Sequence, residues 1–255
     1  MKRGYFMINR DFHIHTTFSD GKCSPEELVL LAIEKGMTHI GFSDHSYTPF
    51  DQGYCMTPEN TDAYKTEIGR LKKKYSNKIA VYLGIEQDYY SDIPPKGYDY
   101  IIGSVHYVKA GGEYLPVDKS APELREAISA HFGGEPLRFA REYFRTVGEL
   151  CEKTGADIIG HFDLLTKFSE KDPLFDTSDP EYVSAWRDAA DRLLARDVIF
   201  EINTGALARG YRTSPYPSED ILSYLKKNGA RFILSGDSHR QTLCFAFKEA
   251  ELLLR

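Results

Sequence analysis

Short apolar runs alternate along this chain with longer amphipathic segments, and short connections join them. That alternation limits the folds open to it more than any other feature. The apolar runs Asp11–Ile14, His39–Ser43, Ile79–Ile85, Tyr100–Val105, Asp157–Ile159, Val198–Ile202 and Arg231–Leu234 read as strands. Between and after them, Pro25–Lys35, Thr61–Tyr75, Pro136–Thr154, Pro180–Ala195, Ser218–Lys227 and Gln241–Leu254 read as helices. Start signals support this: Ser24 precedes Pro25 with Glu26 and Glu27 in the first turn, and Ser218 precedes Glu219 and Asp220. Gly36, Gly155 and Gly229 stand where helices should stop, a few residues before the next apolar run. Strand, helix, strand with short links makes parallel βαβ units. Seven strands with about six or seven helices in 255 residues predict an α/β fold, a barrel-like single domain over residues 1–255. An open doubly wound sheet finds less support, because no G-x-G-x-x-G follows the first strand. Two stretches break the rhythm, at about 46–60 and 107–135. They are rich in Gly, Pro and aromatics and are expected to be long loops over one end.

Composition narrows the class of partner. With 32 basic and 38 acidic side chains the net charge is −6, which argues against a nucleic-acid clamp. The apolar stretch Tyr5–Ile8 is too short for a signal-peptide core, and no run approaches a membrane span. The four cysteines are scattered without a C-x-x-C pair, so neither a disulfide framework nor a cysteine zinc site is expected. A reducing, cytoplasmic setting with a small-molecule substrate, and with neither nucleic acid nor membrane as partner, is the expectation.

The polar residues at the C-terminal ends of the seven strands carry the chemistry. In order they are His13 and His15; Asp44 and His45; Glu86; His106; His161 and Asp163; Glu201 and Asn203; Asp237 and His239. Six of the eight histidines lie there, on the face where parallel α/β barrels build active sites. Residues i and i+2 of a strand point the same way, so His13 and His15 can aim two imidazoles at one ion. Asp237 and His239 repeat the spacing, and Asp20 can swing a carboxylate over the same mouth. Histidine and carboxylate converging from many strands is the composition of a metal centre with nitrogen and oxygen ligands. His39 is expected as a buried strand residue and His131 as a loop residue, both outside the set. Asp11, Asp44, Asp163, Glu201 and Asn203 are expected to orient the ligand imidazoles.

These stretches resemble the PHP (polymerase and histidinol phosphatase) family, and within it the monofunctional histidinol-phosphate phosphatases. The matching motifs are D-F-H-I-H-T-T-F-S-D-G, I-G-F-S-D-H, G-I-E, I-G-S-V-H-Y-V, I-I-G-H-F-D-L, E-I-N-T-G-A-L-A-R-G-Y-R-T-S-P-Y-P-S and S-G-D-S-H. They run from Asp11 to His239. The resemblance implies a distorted seven-stranded (β/α)7 barrel with a metal cleft holding three divalent ions (Zn, Mn or Fe). It implies His13, His15, Glu86 and Asp237 around the first ion. Glu86, His106 and His161 would hold the second, and Asp20, His45 and His239 the third. Some relatives carry His in place of Asp20, which makes the third position the least fixed. Three ions against the three carboxylates and a bridging hydroxide leave a charge of roughly +2, suited to a phosphate dianion.

The activity so implied is hydrolysis of a phosphate monoester, L-histidinol phosphate first, by a hydroxide bridging two ions, with Glu86, Asp237 and Arg209 as the catalytic set. Arginine is the natural phosphate clamp because its planar fork is bidentate. Arg209 is the first choice; Arg212 and Lys167 are further substrate-binding candidates. Tyr47, Phe50, Tyr54, Tyr107 and Tyr114, in the two long loops, can line a pocket for an imidazole ring. On the same scaffold the alternatives are nucleotides, DNA ends or phosphotyrosine, and a DNA substrate would want a basic track beside the cleft. D-x-H-x-H also opens amidohydrolase-like C–N hydrolases, but those commonly use a metal-bridging lysine and no strand-end Lys stands out here. A metal-storage module would leave phosphate-clamping arginines and covering loops idle.

Overall fold

The computed structural model describes residues 9–254; the Tyr5–Ile8 stretch lies outside the described residues. Seven strands form one parallel sheet: β1 (Arg10–Asp11), β2 (His39–Phe42), β3 (Ala80–Asp88), β4 (Tyr100–Ser104), β7 (Ile158–Ile159), β8 (Ile199–Asn203) and β9 (Arg231–Ser235), in that spatial order. The register carries Phe42 beside Leu83, Glu86 beside Ile102, Ile102 beside Ile158 and Ile158 beside Ile199. The sheet curls into a nearly closed barrel. β1 and β9 meet at the seam through a parallel bridge between Ile14 and Ser238, with His15 N donating to Ser238 O at 2.9 Å and Ser238 N to His13 O at 3.1 Å. Asp11 ties the seam below this point: its carboxylate accepts from Gly236 N (3.0 Å), His13 N (3.2 Å) and Cys244 N (3.4 Å).

Helices α1 (Pro25–Glu34) and α2 (Pro58–Lys74) cover the β1–β3 side. Helices α4 (Pro136–Gly148), α5 (Leu150–Thr154), α6 (Pro180–Leu194) and α8 (Glu219–Lys227) cover the β4–β9 side; α3 (Ala121–Phe132) packs against α4, and α7 (Gly205–Ala208) is a single turn after β8. Pro opens α1, α2, α4 and α6 and stands second in α3, where a missing N–H costs nothing. Ser24 and Glu27 form a reciprocal capping box on α1. Ser218 precedes α8 but leaves its backbone uncapped, because its hydroxyl is given to Asp163. The α4 face Phe139, Tyr143, Phe144 and Val147 is buried, and each such side chain contributes roughly 1.5–3 kcal/mol.

The barrel interior is split into two floors. Phe12, Tyr82, Tyr100, Ile102, Ile158, Ile199 and Ile233 form an apolar plug at the N-terminal end of the strands. Tyr100 spans it: its hydroxyl lies 2.5 Å from Phe12 O and 3.0 Å from Phe42 O. Gly41 and Gly84 make the room, since a Cβ on Gly84 would stand 2.1 Å from Tyr100 Cζ. Above the plug the inward positions of the same strands become Glu86, Ser104, Glu201 and Asn203, all buried.

Several boundaries differ from the sequence expectation. The 107–135 stretch is not a loop. It holds the antiparallel hairpin β5 (Tyr107–Ala110) and β6 (Glu113–Pro116) and then α3. Gly111 and Gly112 both take positive φ (59° and 88°), the two-residue turn that a hairpin favours. α2 begins at Pro58, shortening the first loop. The Pro136–Thr154 helix breaks after Gly148, where the chain lies against α6; a Cβ there would stand 3.2 Å from Ala189 Cα. The C-terminal helix is reduced to α9 (Phe247–Ala250) and a 3-10 turn over Glu251–Leu254, since Cys244 and Ala246 both take positive φ. His39 is half-buried with its Nδ1 2.8 Å from Thr38 Oγ1, rather than fully buried. His131 is in the last turn of α3, not in a loop.

The plug gives a direct test. Gly84→Ala overpacks the Tyr100 ring and is expected to destabilise the fold by about 1–3 kcal/mol in chemical denaturation. An unchanged midpoint would show that Tyr100 does not fill this space.

Candidate metal centre

The polar floor gathers residues from every arc of the barrel. Glu86 sits at its middle, 1% exposed, where β3 turns its side chain inward. His13 Nε2 lies 3.3 Å from its carboxylate, His15 Nε2 3.5 Å, His45 Nδ1 2.8 Å, His106 Nε2 3.4 Å and His161 Nε2 3.0 Å. Asp237, held at φ 46° in the turn after β9, brings Oδ1 to 3.3 Å from His15 Nε2. Asp20 reaches over the mouth, with Oδ2 3.2 Å from His239 Nε2. All nine candidate ligands thus meet in one place.

Three groups have ligand atoms mutually within 4.8 Å: His13, His15 and Glu86; His45, Glu86 and His106; and His15, Asp20, His45 and His239. Their boundaries differ from the expected partition. His15 and His45 each stand between two groups. His161 and Asp237 contact the clusters pairwise rather than completing one.

Many of these contacts are too poorly aligned to be hydrogen bonds. Among the described residues, His13 Nε2, both ring nitrogens of His15, His45 Nδ1, Glu86 Oε2 and Asp20 Oδ1 are buried with no hydrogen-bond partner. Leaving such atoms orphaned costs about 1–3 kcal/mol each, so a stable fold needs something to satisfy them. Imidazole nitrogens and carboxylate oxygens converging without aligned hydrogen bonds between them suit divalent cations. The residues present therefore fit a metal centre.

The electrostatics agree. Burial pushes the Glu86 carboxyl upward, but His45, His13 and His106 outweigh it and hold its pKa well below the carboxylate range. Asp237 is likewise held low, with burial opposed by Arg209 and His13. Burial, reinforced by His239 and His45, lowers His15 to about 3, so that ring stays neutral with one nitrogen lone pair free. Burial acts the same way on His13, but Glu201, Glu86 and Asp237 outweigh it and keep its pKa well above normal. Cation binding has to displace such protons.

Of the five residues expected to orient the imidazoles, Glu201 does so and Asn203 supports it. Glu201 Oε1 takes His13 Nδ1 at 2.6 Å, while its Oε2 accepts His161 N (2.8 Å) and Asn203 Nδ2 (2.9 Å). The other three hold backbone and hydroxyl groups instead. Asp11 ties the seam, Asp44 accepts from Thr16 and Ser19, and Asp163 accepts from Ser218. Asp88 was missed. Its Oδ2 lies 3.0 Å from His106 Nδ1, leaving Nε2 for the cluster. Its signal was present in E-Q-D, two residues after Glu86 on the same strand face.

The centre forms the floor of a cleft of about 500 Å³. Arg209 lines it, with Nη2 3.0 Å from Asp237 Oδ2 and Nη1 3.0 Å from His239 Nδ1. Lys167 lines it too, but its ammonium is bound by Asp118, at 2.8 Å to the carbonyl and 3.0 Å to Oδ2. Arg212 does not reach the cleft. It is 7% exposed and donates to Thr166 Oγ1 and Ser218 Oγ, over the Tyr216 ring at 4.4 Å. A buried guanidinium needs acceptors, and these lie behind the cleft wall. Tyr54 and Tyr107 line the cleft; Phe50 and Tyr114 stack on each other, and Tyr47 accepts from Gln52.

Residues 11–205 match the PHP domain model. The chain belongs to the PHP domain family. Among curated relatives of this PHP domain, a Schizosaccharomyces pombe protein named probable histidinol-phosphatase is 31% identical over 247 residues, covering 84% of this chain and 74% of the relative. The Bacillus subtilis histidinol-phosphatase is 24% identical over 258 residues, covering 92% and 94%. Among solved structures, the histidinol phosphate phosphatase of Lactococcus lactis, complexed with Zn, L-histidinol and phosphate, superposes with a TM-score of 0.73 at 21% identity. It covers 96% of this chain and 92% of that chain, so the two share a fold.

The orienting carboxylates are testable apart from the ligands. Glu201→Gln and Asp88→Asn are each expected to weaken divalent-metal affinity about 10–100-fold, read by competition with a chromophoric chelator. Wild-type affinity in both would remove them from the centre.

Proposed function

We propose that this chain is a metal-dependent phosphoric monoester hydrolase that converts L-histidinol phosphate to L-histidinol and phosphate. The observation that carries the reading is the convergence of orphaned imidazole and carboxylate atoms on Glu86, in the same cleft as Arg209. The names of the full-length relatives support the substrate. Three divalent ions are proposed, Zn, Mn or Fe. His13, His15, Glu86 and Asp237 would hold the first, Glu86, His106 and His161 the second, and Asp20, His45 and His239 the third. Bound ions of this kind lower the pKa of a water from 15.7 to about 7 and offset phosphate charge.

The chain's own residues supply position and charge. Glu86, kept ionised while buried, sits within reach of five imidazoles and so fixes their spacing. Arg209 stands at the edge of the cluster, with its guanidinium shared between Asp237 and His239. From there its fork can take two phosphate oxygens and strengthen its hold as charge builds at phosphorus. Lys167 adds positive potential tempered by Asp118, and its role is to extend the electrostatic field rather than to clamp. Arg212 is assigned no contact with substrate.

Metal-loaded protein is expected to cleave histidinol phosphate with a kcat/KM at least about tenfold, or ~1.4 kcal/mol, above p-nitrophenyl phosphate, nucleoside monophosphates and a DNA oligomer. Any of these leading instead would overturn the substrate. Glu86→Gln should lose bound metal and nearly all turnover while keeping the circular dichroism of the fold. Full metal content and rate in that variant would refute the centre. Arg209→Ala should cut kcat/KM by about 10²–10³, as removal of one charge-stabilising donor does; a wild-type value would mean that Arg209 does not meet the phosphate.

A further inference from the structure

The cleft has two walls of different character. β2 and β4 lie on one arc of the barrel, and β8 and β9 on the opposite arc. Arg209 and Arg240 enter the cleft from the β8 and β9 side; Asp51 and Tyr107 enter from the β2 and β4 side. Most charges near the cleft are already matched. Arg209 faces Asp237, Lys167 faces Asp118, and Lys119 gives its ammonium to Glu123 at 2.8 Å. Among the carboxylates that line the cleft Asp51 is the exception, on the wall across from Arg240, which likewise has no ion-pair partner among the described residues. Among the described residues, no Lys, Arg or His nitrogen lies within ion-pair distance of its carboxylate. Only Tyr107 OH (2.8 Å, to Oδ2) and Gly53 N (3.2 Å, to Oδ1) donate to it. A carboxylate has about four lone-pair positions, so acceptor capacity remains.

That carboxylate is held ready. Thr48 Oγ1 donates to Asp51 O at 2.7 Å. The adjacent Phe50 stacks on Tyr114 of the β5–β6 hairpin, with ring centroids 3.7 Å apart and planes 6° apart, and meets Tyr107 edge-on at 4.9 Å. The loop after β2 and the β5–β6 hairpin thus fix Asp51 before any ligand arrives, so little ordering entropy is left to lose on binding. Tyr54 fills the interval to the metal centre, 4.8 Å from His45 and 6.3 Å from Tyr107 by ring centroids. The path from the centre to Asp51 therefore runs past inclined aromatic rings and ends in an anion.

We infer that Asp51 is a specificity-determining residue: it accepts an N–H, from an ammonium or a nitrogen heterocycle, at the end of the substrate remote from phosphate. Tyr107 is its positioning residue. The substrate class is then a phosphate monoester carrying a basic nitrogen. This rests on the phosphatase reading above and adds the group that tells such esters from plain aryl or alkyl phosphates.

The test compares histidinol phosphate with p-nitrophenyl phosphate, which carries no N–H, using the metal-loaded full chain. In Asp51→Asn the ratio of the two kcat/KM values is expected to fall at least tenfold. Tyr107→Phe should lower it in the same direction by a smaller factor, and carries the test alone if Asp51→Asn does not fold. A ratio unchanged in both variants overturns the Asp51 assignment and leaves the phosphatase reading standing; a wild-type protein that cleaves both esters equally overturns the Asp51 assignment and the histidinol phosphate preference, leaving only the phosphomonoester hydrolysis. Wild-type protein that cleaves neither ester overturns the phosphatase reading itself.

Discussion

A carboxylate buried in a ring of imidazoles governs the architecture. Glu86 is 1% exposed, and an isolated carboxylate at that depth would give up its charge rather than stay ionised. It stays ionised because five histidines from four different chain segments surround it within 2.8–3.5 Å. None of those histidines could be there unless the strands bearing them were wound into a barrel with their C-terminal ends level. The site and the topology are therefore one constraint seen at two scales. A sheet left open at the β1–β9 seam would separate His13 and His15 from Asp237, and Asp11 and the Ile14–Ser238 bridge hold that seam.

The two floors of the barrel divide the labour. An apolar plug around Tyr100 supplies the close packing that fixes strand positions, and rigid strands carry a polar cluster more accurately than loops do. The polar floor contributes little to stability by itself, because paired buried charges roughly recover their desolvation penalty. Glu201 joins the roles. It spans from His13 on the β1 segment to the His161 backbone after β7, so one side chain sets an imidazole and a loop together.

Much of this was legible in the sequence because period-two spacing and strand-end position are local properties. His13 and His15 on one face, Asp237 and His239 at the far end of the chain, and the capping signals at α1 all follow from neighbours within a few residues. What was illegible depended on partners distant in sequence. The break after Gly148 is imposed by Ala189 of α6. The seam and the positive φ of Cys244 and Ala246 stop the C-terminal helix, although its composition suits one. Lys167 could not be seen to be neutralised without Asp118, forty-nine residues away. The β5–β6 hairpin is a different kind of miss. Its Gly-Gly turn was in plain view, but the aromatic and glycine content around it reads equally well as a loop.

The two arginines of A-L-A-R-G-Y-R show how one short segment serves two ends. Arg209 faces the cleft and Arg212 faces away, three residues on, as a turn after α7 reverses the chain. Arg212 contacts Thr166 and Ser218 and lies 3.9 Å from Asp163. Thr166 and Asp163 belong to the segment after β7 that also carries His161 and Lys167. Arg212 thus ties the loop bearing Arg209 to the loop bearing His161. The phosphate clamp proposed for Arg209 would need such a tie, because loops placed independently would drift relative to each other. A sequence can offer two arginines to one role. Burial assigns them to two, giving the half-exposed one to the cleft and the enclosed one to the frame that keeps it there.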